Sequence, residues 1–164
     1  MNCGDANMAN KTNAVRLVEQ AGIPCREAFY EYDENDLNGN HAAEAIGMPP
    51  EEVFKTLVAR GERTGINVFC IPVAFELDLK KAAKAAGDKN MALIHVKELL
   101  PLTGYIRGGC SPVGMKKKYP TYMDETCQLY DTIAVSAGER GHQMLVPPEQ
   151  LAELVGAVFA DLIL

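Results

Sequence analysis

Short apolar runs recur at close intervals along this chain, and only a few modest helical patterns separate them. Residues 29–32, 68–73, 91–94, 121–124, 133–136, 143–146 and 158–163 have the length and the branched or aromatic content of strands. Helices are expected over 14–21, capped by Thr12 and stopped by Gly22 and Pro24, and over 42–46, ended by Gly47. Further helices are expected over 79–86 between Asp78 and Gly87, over 96–100, and over 149–155 behind Pro147 and Pro148. Residues 53–58 follow a helix-starting Pro50, yet their composition suits a strand equally well. So many short strands with few modest helices do not suit a doubly wound sheet with regular βαβ crossovers. The expected fold is α/β (α+β): a curled, mixed, largely antiparallel sheet forming a pseudo-barrel with flanking helices, the curl removing free edges.

A chain of 164 residues with 48% apolar content builds one core, so residues 12–164 are expected as a single domain behind a flexible N-terminus, 1–11. No run approaches the ~18 apolar residues of a membrane span, and the polar start lacks the order of a signal peptide, so a cytoplasmic protein without membrane association is expected. The five cysteines and three histidines are scattered, with no ligand spacing among them, so neither a metal nor another cofactor is expected. A net charge of -6 and a pI near 5.1 argue against indiscriminate nucleic-acid binding, and DNA is not an expected partner. They leave room for a local basic patch that docks one RNA terminus.

Such a patch stands at residues 103–118. The run T-G-Y-I-R-G-G-C-S-P-V-G leads directly into Lys116, Lys117 and Lys118. Backbone amides of Gly108, Gly109 and Cys110 can form a concave donor site for an anion or a developing oxyanion, with Ser111 and Pro112 fixing the exit. The three lysines, helped by Arg107, would draw in phosphates, although an ordinary exposed turn has the same composition. Lys55, set in the otherwise apolar run around Phe54 and Thr56, must either reach solvent or meet an anionic partner. Cys110 is a conceivable nucleophile, but no histidine is tied to it in the sequence.

Six segments in order carry a resemblance: F-Y-E-Y-D at 29–33, V-F-K-T-L-V at 53–58, L-D-L-K-K-A-A-K at 77–84, the Gly-rich run at 103–114, K-K-K-Y-P-T at 116–121 and V-S-A-G-E-R-G at 135–141. Together they resemble the YbaK/EbsC family of aminoacyl-tRNA deacylases, which includes cysteinyl-tRNA(Pro) deacylases and the editing domain of bacterial prolyl-tRNA synthetases. The resemblance implies hydrolysis of the ester between a wrong amino acid and the terminal adenosine of tRNA, without a metal. It implies that Lys55 holds the substrate and that the Gly-rich loop supplies amides at the scissile carbonyl. Tyr30 matches the family's tyrosine, although Tyr32 falls on the same face of a regular strand. Ser136, Gly138 and Arg140 belong to a second loop bordering the pocket.

At 142–143 the chain departs from a cysteine-specific branch, having His142 and Gln143 where that branch has leucine and aspartate. Loss of the carboxylate leaves an acceptor without charge. The expected substrate is therefore the mischarged acceptor end of tRNA(Pro) bearing cysteine, with Cys-tRNA(Cys) also in view and prolyl-tRNA synthetase as a partner. Alanyl- or seryl-tRNA is the alternative within the fold, and a noncatalytic nucleotide- or synthetase-binding adaptor the alternative outside it. Attack by the substrate's own thiol and attack by water both remain open.

Overall fold

The computed structural model describes residues 11–164. The expected flexible segment lies outside the described residues except for Lys11, whose ammonium pairs with Glu19 at 2.6 Å. Thr12 caps α1 (Asn13–Gln20), its hydroxyl accepting from the Val15 amide. That helix buries Ala14, Val15 and Val18 on one face. The chain continues through β1 (Arg26–Phe29), α2 (Gly39–Ile46), β2 (Phe54–Gly61), β3 (Gly65–Pro72), α3 (Leu79–Ala86), β4 (Met91–Leu93) and α4 (Val96–Thr103). After the Gly-rich loop come β5 (Thr121–Asp124), a 3-10 turn (Glu125–Leu129), β6 (Ile133–Glu139), β7 (His142–Val146), α5 (Pro148–Val155) and β8 (Val158–Ala160). Of residues 53–58, ambiguous in sequence, 54–58 join the strand β2, because eight consecutive residues from Phe54 pair with β3 in antiparallel register.

The strands form two sheets. One is three-stranded, ordered β1-β7-β6, and all antiparallel. The other is five-stranded, ordered β4-β2-β3-β5-β8, with antiparallel pairs at β4-β2-β3 and parallel pairs at β3-β5-β8. Between them lies a core in which Phe54, Cys70 and Met123 of the larger sheet meet Val135 and Met144 of the smaller, closed by α1 and by Leu151 of α5. A second cluster packs Phe69 and Ile71 of β3 against Ala82 and Ala83 of α3. Each fully buried side chain of that size contributes roughly 1.5–3 kcal/mol, which makes β3 the best-anchored strand.

The expected pseudo-barrel is not what forms. Closure needs a ladder that continues around the whole circumference. Among the described residues the two sheets meet at one parallel bridge, Val53 with Ala134, where the Ala134 amide donates to the Glu52 carbonyl. β4 and β8 have three residues each, too short to extend the ladder, so the larger sheet keeps two free edges. The architecture is a mixed sheet and a small antiparallel sheet with flanking helices. No helix among the described residues is long and apolar enough to cross a membrane.

Candidate active site

A cavity of about 600 Å³ opens where the start of β2, the N-terminus of α2, the β4–α4 connection, the Gly-rich loop and the β6–β7 hairpin converge. Lys55, Thr56, Tyr30, Arg107, Gly108, Cys110, Ser136 and Gln143 all line it. The ladder fixes Lys55 opposite Ile71 on the best-anchored strand. Its side chain is about a quarter exposed, and its ammonium lies 3.9 Å from Oε1 of Glu76, whose side chain is 79% exposed. Such a long, wet contact does little to hold the ammonium, which stays available to an anionic group in the cavity.

The Gly-rich loop divides its amides. Gly109 N–H donates to the Ile106 carbonyl at 2.9 Å, closing the turn, and so has no donor left for a ligand. Gly108 and Cys110 N–H have no acceptor among the described residues, and both residues line the cavity. Gly108 has φ +87, a left-handed backbone that a side chain resists. The loop is tied from behind by Arg140, whose Nε donates to the Arg107 carbonyl at 2.8 Å. Burial pushes the Cys110 thiol up to about 12, against a smaller opposing effect of the Thr103 hydroxyl, so its sulfur stays protonated at neutral pH.

Tyr30 and Tyr32 both lie beyond the end of β1 at Phe29, so the alternation of a regular strand does not extend to them. Tyr30 enters the cavity, with burial raising its phenol and the Gln143 amide acting in the opposite direction. Tyr32 is 45% exposed and borders a small adjoining recess with Arg140 and Gly108. Other residues singled out from the sequence lie elsewhere. Ser111 and Pro112 are buried behind the loop, the Ser111 hydroxyl accepting from the Val113 amide at 3.2 Å. Gly138 donates its amide to the Ser136 hydroxyl and packs on Tyr105. Lys116, Lys117 and Lys118 are exposed beyond the cavity lining, with Lys116 Nζ donating to the Pro101 carbonyl at the end of α4.

Sequence reasoning missed the apolar wall of Leu93, Ile94, Val96 and Leu99, because β4 and α4 read as ordinary core elements. It also missed His142. That imidazole is 1% exposed, its Nδ1 2.7 Å from Glu139 Oε2 and its Nε2 2.8 Å from Glu27 Oε1, with the Phe29 ring stacked at 4.1 Å. It ties β1 to the β6–β7 turn beside Gln143. Glu139 three residues before His142 was the one signal in the sequence, and only across an assumed hairpin.

The model of the aminoacyl-tRNA editing domain matches residues 39–154. EbsC of Enterococcus faecalis, described as a candidate Cys-tRNA(Pro)/Cys-tRNA(Cys) deacylase, is 48% identical over 93% of both chains. The proline–tRNA ligase of Shouchella clausii is 30% identical over 63% of this chain, a match spanning 18% of the ligase. A crystal structure described as a candidate trans-editing enzyme for prolyl-tRNA synthetase superposes with a TM-score of 0.77 at 28% identity, covering 93% of this chain and 98% of the other. Since the matched region takes in the cavity from α2 to the β6–β7 hairpin, and the likeness to EbsC runs almost end to end, the chain belongs to the aminoacyl-tRNA editing domain family.

Proposed function

We propose that the protein is an aminoacyl-tRNA deacylase acting in trans, and that it removes cysteine from tRNA(Pro), with Cys-tRNA(Cys) as a second substrate. The observation that carries the reading is the pairing in one cavity of a loosely held ammonium, Lys55, with two amides that lack acceptors, Gly108 and Cys110. An ester carbonyl becomes an oxyanion as it is attacked, and donors aimed at that charge stabilise the transition state more than the ground state. Lys55 holds the ester region or the adjoining phosphate as a point charge. The two amides receive the oxyanion.

Substrate thiol attack accounts for the choice of cysteine. The thiol loses its proton, sulfur bonds to the carbonyl carbon, and the carbon–oxygen bond to the ribose breaks. The ribose oxygen leaves with a proton, and water opens the resulting thiolactone to free cysteine. Pocket size alone distinguishes side chains differing by one small group by only about 1–3 kcal/mol. Water attacking directly would use the same donors and would favour alanyl- or seryl-tRNA. The mischarged tRNA would be met in the cytoplasm, where prolyl-tRNA synthetase produces it.

Cysteinyl-, alanyl-, seryl- and prolyl-tRNA offered to catalytic amounts of protein test the reading. Release of cysteine over many turnovers, with prolyl-tRNA spared, is expected. Preferred release of alanine or serine would transfer the assignment to those esters, and no turnover on any of the four would leave an adaptor.

Two further results follow from the geometry. Cys110→Ala should keep kcat/KM within about threefold, since the protonated thiol does no chemistry and the backbone amide remains. A fall of about a hundredfold would instead make that sulfur the nucleophile. Replacing Lys116, Lys117 and Lys118 by alanine should raise KM for aminoacyl-tRNA about tenfold at low salt and flatten its salt dependence. Hydrolysis of a short aminoacyl-adenosine ester should be unaffected, because these lysines lie outside the cavity. Equal loss on both substrates would place the lysines in folding rather than in docking.

A further inference from the structure

Gln143 is 6% exposed and lines the cavity, paired across β7 with Ala28 on one side and Ser136 on the other. Its side-chain oxygen is buried without any partner. An orphaned acceptor of this kind costs about 1–3 kcal/mol, and a ligand that supplies a donor recovers it. Three side-chain oxygens of the cavity lining are already engaged, and the Glu76 carboxylate there lies beside the Lys55 ammonium. Thr56 Oγ1 lies 3.7 Å from Cys70 Sγ, Ser136 Oγ accepts from the Gly138 amide, and Asn38 Oδ1 accepts from the Asn40 amide. Tyr30 lines the same cavity, where the Gln143 amide opposes the rise that burial gives its phenol.

We propose that Gln143 Oε1 accepts a hydrogen bond from the substrate's α-amino group, making Gln143 the residue that reads the aminoacyl ester as an amino acid. This rests on the deacylase reading. A thiol is a weak donor and would relieve the orphaned oxygen poorly, whereas an amine is a strong one. The neutral amide also suits its surroundings. Lys55 and Arg107 line the same cavity, and a carboxylate at 143 would be drawn to them, whereas an amide carries no charge to be captured.

The test compares cysteinyl-tRNA with mercaptopropionyl-tRNA, which keeps the thiol and the ester and lacks the amine. Wild type should favour the cysteinyl ester by about tenfold or more in kcat/KM. Gln143→Leu should lower the cysteinyl value about tenfold while the des-amino ester falls by less than about threefold, erasing the preference. Gln143→Glu should keep part of it. Equal losses on both esters, or a wild-type enzyme indifferent to the amine, would overturn the assignment. If cysteinyl-tRNA is not hydrolysed at all, the cysteine reading fails separately, and alanyl- against propionyl-tRNA puts the same question to Gln143. Inactivity on every ester would sink both.

Discussion

Lys55→Ala is expected to lower kcat/KM on misacylated tRNA by roughly 10²–10³, the size of one preorganised electrostatic donor of about 3–4 kcal/mol. The fold should survive. The ammonium is partly exposed, and its carboxylate neighbour Glu76 stands mostly in water at 3.9 Å, so removing the lysine strands no buried charge. Exposed pairs of this kind contribute about 0–1 kcal/mol, and thermal unfolding should therefore move little. Single-turnover deacylation measured beside an unfolding curve separates the two effects. Lys55→Arg should rescue only partly, because a planar fork does not occupy the place of a compact ammonium. Activity within about threefold of wild type for Lys55→Ala would remove this residue from the chemistry and leave the two amides without a cationic partner.

Why the sequence foretold some parts of this site and not others comes down to the range of the forces involved. Helix ends are local. Thr12, Asp78 and the glycines 47 and 87 cap or close their helices through contacts a few residues away, and their positions were legible from the chain alone. Lys55 was legible for a related reason, since a charge in an apolar run declares itself. The pseudo-barrel expectation failed because closure is a property of the whole ladder, and no local pattern reports that β4 and β8 stop after three residues. His142 failed for the same reason, as its partner Glu27 is 115 residues away. The Gly-rich run lies between these extremes. Its composition marked a donor loop, while the loss of the Gly109 amide to Ile106 is a detail of turn geometry.

That detail makes Gly109→Ala the sharpest probe of the oxyanion donors. A Cβ at 109 would stand 3.0 Å from the Cα and carbonyl carbon of Glu139 and 3.1 Å from the Arg140 amide nitrogen, all of them backbone atoms that cannot rotate away. The loop also cannot swing aside freely, because Arg140 holds the Arg107 carbonyl at its other end. The expected outcome is a displacement of Gly108 and Cys110 by some tenths of an ångström and a fall in kcat of about a hundredfold, with KM for tRNA changing little. Gly108→Ala is a poorer probe. Its φ of +87 adds backbone strain, while the atoms its Cβ would meet belong to the movable side chains of Leu37 and Arg140, so stability and activity would fall together. Cys110→Ala completes the comparison, since it changes the same loop without moving its backbone. If Gly109→Ala retained full kcat while Cys110→Ala lost it, the work would lie with the sulfur and not with the amides. The reverse pattern is what a peptide-built oxyanion site requires.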